Sequence, residues 1–230
     1  MENTKKLNIL ITSGPTREYI DNVRYISNKS SGQLGAAIAT EALKRGAYVT
    51  LVHGVGSSLP DISCFRKDEG KRLTLIEIET VQDLSKIIRD ELEGKTFDAI
   101  IHAMAVLDYA PEQQVNGKLS SKNNEITLRF IKVPKIIKIL RELWPHSLLI
   151  GFKLEAGISN EELLKRAYAS LVENKADFVV ANDQQEISEG KHPAYIINAQ
   201  QKRVATCNTK QDIAKKLIEI ASDTTQKNSI

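Results

Sequence analysis

Leu7-Asn8-Ile9-Leu10-Ile11-Thr12 is a short, largely apolar run that stops at the turn-rich Ser13-Gly14-Pro15-Thr16-Arg17. Its length and its isoleucines favour a buried strand, since a strand with one wet face would alternate apolar and polar residues. The same kind of run recurs downstream, with helices between. Gly32 to Arg45 reads as a helix, with Leu34, Ile38, Ala42 and Leu43 on one face and Gly46 as its stop. Ala47 to His53 is a second strand and Leu73 to Ile78 a third. Val81 to Leu92 is an amphipathic helix with Leu84, Ile87, Ile88 and Leu92 inward, and Ala99 to Met104 is a fourth strand. Asp108 to Asn124 is polar and turn-rich, the composition of a functional loop. Ile126 to Ile131 is strand-like, and Pro134 opens a helix that runs through Leu143. Leu148 to Phe152 is a buried strand, Glu161 to Asn174 a helix, and Phe178 to Ala181 a strand. Tyr195 to Ile197 and Arg203 to Ala205 suit a hairpin, and a last helix spans about Lys210 to Ala221 before a polar, frayed tail.

Strands alternating with helices imply an α/β fold, a doubly wound and mostly parallel Rossmann-like sheet with helices on both faces. A polar flap loop and a C-terminal hairpin are added to it. With no repeat and no linker, residues 1–230 read as a single nucleotide-binding domain. Ligands of such sheets sit outside the carboxyl ends of the strands. That selects the loops after Thr12, His53, Met104, Phe152 and Ala181.

Composition closes off other classes. With 41% hydrophobic residues, 12 glycines and 6 prolines, the 230-residue chain is neither disordered nor collagen-like. No apolar run approaches the roughly 20 residues that span a bilayer. Met1-Glu2-Asn3-Thr4-Lys5-Lys6 lacks signal-peptide anatomy, which points to the cytoplasm. Cys64 and Cys207 lie far apart and form no metal or redox motif. The net charge of +3 comes from 32 basic and 29 acidic residues spread along the chain, which argues against a nucleic-acid partner.

Candidate chemistry collects in the selected loops. Ser30, Ser31 and Gly32 open the first helix, where hydroxyls, approachable N–H groups and the helix dipole suit a phosphate. The alternative is that Ser30 or Ser31 caps the helix and Gly35 permits close helix–sheet packing. The dinucleotide pattern G-x-G-x-x-G is missing, no acidic residue ends the second strand at Val52-His53-Gly54, and there is no Walker A motif. Asp108 ends the fourth strand's small-residue run, as a hydrogen-bond acceptor, a metal holder or a solvated cap. Lys118 and Lys122 lie on the polar loop, where a lysine can swing over a polyphosphate or remain on the surface. Phe152 can stack on a base or fill the core, and Asn182 can read a base edge or form a turn. His53, His102, His146 and His192 show no ligand spacing, so no metal ligands are assigned.

Taken in order, these loops resemble a known family. Ser13-Gly14-Pro15-Thr16-Arg17-Glu18 and Val23-Arg24-Tyr25-Ile26-Ser27-Asn28-Lys29-Ser30-Ser31-Gly32 are similar to the opening of phosphopantothenate–cysteine ligase. Ala105-Val106-Leu107-Asp108-Tyr109, Gly117-Lys118-Leu119-Ser120-Ser121, Gly151-Phe152-Lys153-Leu154-Glu155 and Asp177-Phe178-Val179-Val180-Ala181-Asn182-Asp183 resemble its later motifs in the same order. The resemblance implies a coenzyme A biosynthesis enzyme that joins 4′-phosphopantothenate to L-cysteine through an acyl-nucleotide, with magnesium present. It implies CTP in preference to ATP, no flavin, a stand-alone bacterial form and a homodimer. It assigns catalysis to Asn28 and Lys118, and substrate binding to Asn28, Met104, Ala105 and Asp108. It assigns nucleotide binding to Gly14, Ser30, Gly32, Gly35, Asp108, Lys118, Phe152 and Asn182. The family carries a small residue where Met104 stands, and often more lysines where Ser120 and Ser121 stand.

Two other readings compete. An NADP-dependent oxidoreductase of the short-chain type would need a Tyr-x-x-x-Lys pair, and Tyr25/Lys29 is the one match, in the first loop. A non-catalytic nucleotide-binding module would leave the lysine-bearing loop without a task.

Overall fold

The computed structural model describes residues 6–63, 65–66, 71–122 and 124–227. The first five residues and Cys64, both read above, lie outside them. The chain begins β1 (Asn8–Ser13), β2 (Arg17–Tyr19), β3 (Tyr25–Ser27), α1 (Gln33–Lys44), β4 (Tyr48–Gly54), β5 (Leu73–Ile78). It continues α2 (Val81–Lys86, extended by a wider π-type segment Ile87–Leu92), β6 (Ala99–His102), β7 (Tyr109–Pro111), β8 (Phe130–Lys132). It ends α3 (Ile136–Leu143), β9 (Leu148–Glu155), α4 (Asn160–Glu173), β10 (Phe178–Asp183), β11 (Ala194–Asn198), β12 (Arg203–Cys207) and α5 (Lys210–Lys227).

The main sheet has the order β12-β11-β10-β9-β6-β1-β4-β5. The strands from β5 to β10 are parallel, and the hairpin β11–β12 adds an antiparallel edge. β1 is shared by both halves: Ile9 registers with Val49 of β4 on one side and Ala99 of β6 on the other. The chain first works outward through β4 to β5, then returns to the far side of β1 for β6. The order reverses between β1 and β6, and loops leaving those two carboxyl ends diverge.

Burial on both faces explains the apolar runs. Ile9 and Ile11 pack with Val49, Leu51 and Ile101 under α1 and α5, through Ile38, Leu43, Ile213 and Leu217. The intervening Leu10 points the other way, with Val52, Ile100 and Leu149 under α2, α3 and α4, through Leu84, Leu140 and Leu163. Each such side chain contributes about 1.5–3 kcal/mol when it is fully buried. Cys207 belongs to the first layer, and burial pushes its thiol up, away from reactivity.

Several boundaries differ from the sequence reading. β6 stops at His102, not Met104, where the Ala103 N–H turns to the Thr12 carbonyl at 3.0 Å. Of Ile126 to Ile131, only Phe130 and Ile131 are in a strand; β8 pairs with β7 in a two-stranded arm off the main sheet. The hairpin β2–β3, read above as loop, is a second such arm. The last helix continues past Ala221 to Lys227, and within the extension Thr224 and Thr225 turn their hydroxyls back to the carbonyls of Ile220 and Ala221 at 2.8 and 2.9 Å.

Two features near the carboxyl ends give predictions. A Cβ on Gly35 would run into the Ser13 side chain, whose hydroxyl donates to the Gly32 carbonyl at 3.1 Å. Gly35→Ala should cost about 1–3 kcal/mol in urea unfolding, whereas Gly94→Ala, with open space around it, should not. The carboxylate of Asp183 is buried at the end of β10. Donation from Gly157 N–H (3.0 Å) and Gln185 N–H (2.8 Å) outweighs its burial, and with Ile158 N–H (3.1 Å) holds it below the usual carboxylate range. Its stabilisation is therefore present above the unfolded pKa and lost as pH falls through the folded one. The melting-temperature gap between wild type and Asp183→Asn should be open at pH 7 and close below about pH 4.

Candidate functional site

A cavity of about 710 Å³ opens at the carboxyl ends of β1, β6, β9 and β10, over the reversal between β1 and β6. One wall is the start of α1. Gly32 precedes the helix at φ +73°, and no side chain caps it, so neither Ser30 nor Ser31 serves as the cap weighed above. The N–H groups of the first turn have no partner within the helix, and Gln33, Leu34 and Gly35 line the cavity beside Ser30 and Gly32. Gly35 also does the packing work of the alternative reading, against Ser13.

The opposite wall is the segment after β6. Met104 is buried and Ala105 and Asp108 line the cavity. This segment is joined to the first loop by backbone bonds, Ala105 N–H to Gly14 carbonyl (2.8 Å) and Thr16 N–H to Ala105 carbonyl (3.3 Å). Thr16 Oγ1 accepts from Leu107 N–H at 3.0 Å. Asn28 completes the junction: its Nδ2 donates to the carbonyls of Ala105 (3.3 Å) and Val106 (3.1 Å), so its amide is held across the cavity mouth. Further round, Phe152 lines the cavity while packing on the core, which unites the two readings given to it. Asn182 is buried in the same wall, 3.3 Å from Nε2 of His192.

Three sequence-selected residues stand apart from the lining. Gly14, at φ +78°, instead lets the Ser57 side chain approach, in a space that a Cβ would occupy. Lys118 is exposed on the flap, as is Lys122.

The structure adds residues that the motifs did not single out. Lys29, Lys135, Lys153 and Lys210 all line the cavity, whereas Asp108 is the one carboxylate among its described lining residues. Asp108 pairs with Lys135 at 3.0 Å. His102 sits at the tip of β6 with Nδ1 2.7 Å from Thr12 Oγ1. Burial, aided by the charge of Lys135, brings its pKa down to about 4, so the imidazole is neutral at ordinary pH. Burial and Lys210 lower that of His192 too. The sequence places His102 inside the strand read as Ala99 to Met104 and shows it only as a histidine without ligand spacing; its nearness to that strand's carboxyl end is the signal that could have found it.

A second cavity, of about 680 Å³, lies at the opposite pole beside Trp144 and Asp98. Its Arg141 is fully committed, to the carbonyls of Trp144, Pro145, Ser147 and Lys175 and to Asp177 at 2.6 Å. Among the described residues there is no group of three His, Cys, Asp or Glu able to hold a metal, and no helix long and apolar enough to cross a membrane.

Comparison with known proteins places this geometry. The chain is 37% identical over 209 residues to the coenzyme A biosynthesis bifunctional protein CoaBC of Thermococcus kodakarensis, covering 91% of this chain and 49% of that protein. It is 31% identical over 218 residues to the CoaBC of Borreliella burgdorferi, covering 94% and 52%. The chain thus spans about half the length of these relatives. Among solved structures, the DNA/pantothenate metabolism flavoprotein from Streptococcus pneumoniae superposes with a TM-score of 0.83 at 31% identity, covering 95% of this chain and 99% of that one. Residues 4–224 match the family described as the DNA/pantothenate metabolism flavoprotein C-terminal domain, and the chain belongs to that family.

Proposed function

We propose that residues 1–230 form a single phosphopantothenate–cysteine ligase domain, which joins 4′-phosphopantothenate to L-cysteine through an acyl-nucleotide in coenzyme A biosynthesis. One observation carries the reading. The uncapped start of α1, four lysines and the amide of Asn28 converge on one cavity over the strand reversal. That is a setting for several anionic groups at once.

The reaction needs this. A carboxylate becomes an acylating agent once it carries a good leaving group; here it displaces pyrophosphate from a nucleoside triphosphate, and two anions must approach each other in line. The lysines and the helix start offset that repulsion. Asn28, held on the carbonyls of Ala105 and Val106, offers its remaining amide oxygen and backbone to the pantothenate side. Phe152 and Asn182 form the nucleoside wall. Lys118 closes with the flap and offsets charge that develops on the transferring phosphate. CTP is favoured over ATP. Magnesium fits as an ion carried in on triphosphate oxygens, since Asp108 is the one carboxylate among the described lining residues and already pairs with Lys135. The chain's own residues therefore bind and orient; none needs to be a covalent nucleophile. Exposed apolar side chains on the two arms, Val23, Tyr25, Tyr109 and Ile131, support the homodimer.

The alternative is a nucleotide-binding module without chemistry, favoured by the position of Lys118 outside the cavity lining. The deciding experiment incubates the protein with 4′-phosphopantothenate, magnesium and each nucleoside triphosphate, with and without cysteine, and measures pyrophosphate. Release with one nucleotide that turns over on adding cysteine supports the ligase and names the base; no release with any of them supports the module. Lys118→Gln should slow pyrophosphate release about 100-fold with the circular dichroism spectrum unchanged. Asn28→Asp sets a second carboxylate against the substrate's, and the yield of cysteine adduct per pyrophosphate released should fall.

A further inference from the structure

Asp21, in the turn between β2 and β3, has a carboxylate with no exposed surface. Its Oδ1 serves the turn itself, accepting from the N–H groups of Val23 (2.8 Å) and Arg24 (2.7 Å). Its Oδ2 does something the turn does not require. It accepts from the N–H of Leu119, 98 residues away, at 3.0 Å, with Arg24 Nη1 at 3.7 Å. Next to it, the N–H of Asn22 donates to the Gly117 carbonyl at 3.0 Å, and the N–H of Val115 donates to the Ile20 carbonyl at 2.9 Å. The backbone on both sides of Lys118 is thereby held by one turn. From that turn β3 runs directly to Ser27 and on to Asn28.

We infer that Asp21 is a positioning residue for the transfer step: its carboxylate fixes the base of the flap, so that Lys118 closes in register with Asn28. The inference rests on the reading of Lys118 given above. Charge at this position has a reason. Burial alone would push the carboxyl up, but the Leu119, Val23 and Arg24 N–H groups and the Arg24 guanidinium outweigh it and hold it below the usual range. An asparagine could keep the Oδ1 bonds of the turn. Its NH2 would then face the Leu119 N–H, donor against donor, and the flap would be released while the turn stays.

The test uses the full chain, with single-turnover pyrophosphate release and nucleotide affinity as readouts. Asp21→Asn, Lys118→Gln, the double variant and Leu119→Pro, which removes the one N–H while keeping the carboxylate, are compared. Leu119→Ala, which keeps that N–H, is the control. Asp21→Asn and Leu119→Pro should each slow release about 10-fold or more with affinity within about twofold of wild type, and Leu119→Ala should release normally. The double variant should be no slower than Lys118→Gln alone, because the two residues act as one unit. If Lys118→Gln is slow while Asp21→Asn and Leu119→Pro release normally, the flap reading stands and the positioning role fails. Effects that multiply in the double variant also overturn it. Normal release by Lys118→Gln would remove the flap reading and the inference together. Should Asp21→Asn fail to fold, Leu119→Pro against Leu119→Ala decides.

Discussion

β1 is bonded to β4 along one edge and to β6 along the other, and is sealed by helices above and below. The middle of a strand in that position has no water on any side, so its backbone groups pair in the sheet and its side chains from Ile9 to Ile11 are apolar. The consequence is topological. The chain must run outward on one side of β1 and come back to its other side, and the carboxyl ends of β1 and β6 become the place where no crossover covers the edge. The cavity lies there because packing leaves it there. Small residues then let the two walls meet: Gly35 admits the Ser13 side chain, and Ala105 exchanges backbone bonds with Gly14 and Thr16.

Strands buried on both faces are legible in a sequence because their apolar runs are continuous. The runs at Ile9, Val49, Ile100 and Val179 announced β1, β4, β6 and β10 for that reason. The two arms were not legible in the same way. β2 and β3 are short, and what holds them is an edge-on contact of Tyr19 with Tyr25 at 6.1 Å and the Arg17 guanidinium 4.5 Å over the Tyr25 ring. Neither has a period. Ile126 to Ile131 misled in the other direction: its apolar side chains belong to an exposed arm and not to the sheet, so hydrophobicity overstated the strand.

The site divides along a similar line. Residues carried by backbone motifs, such as Asn28, Gly32, Ala105 and Asn182, come together because the strand ends bring their loops together. Residues that act through distant partners are invisible before folding. Thr12 and His102 are 90 positions apart, and Asp21 and Leu119 are 98 apart. The positive character of the cavity is hidden too. A net charge of +3 gives no hint that four of the lysines line one cavity, with Asp108 as the one carboxylate among its described lining residues.

The neutrality of His102 bears on how this protein would meet changes in its surroundings. His102 is held at a pKa of about 4, and His192 is lowered as well. An imidazole of ordinary pKa would add or remove a positive charge near neutrality. His102 adds none between about pH 5 and 8, so the field that an incoming anion encounters there is insensitive to acidity through this residue. What an incoming nucleotide brings with it does titrate there, because its terminal phosphate takes up its last proton near neutrality. A pH dependence of binding that follows that phosphate would describe the ligand's own proton, with His102 acting as a fixed electrostatic background.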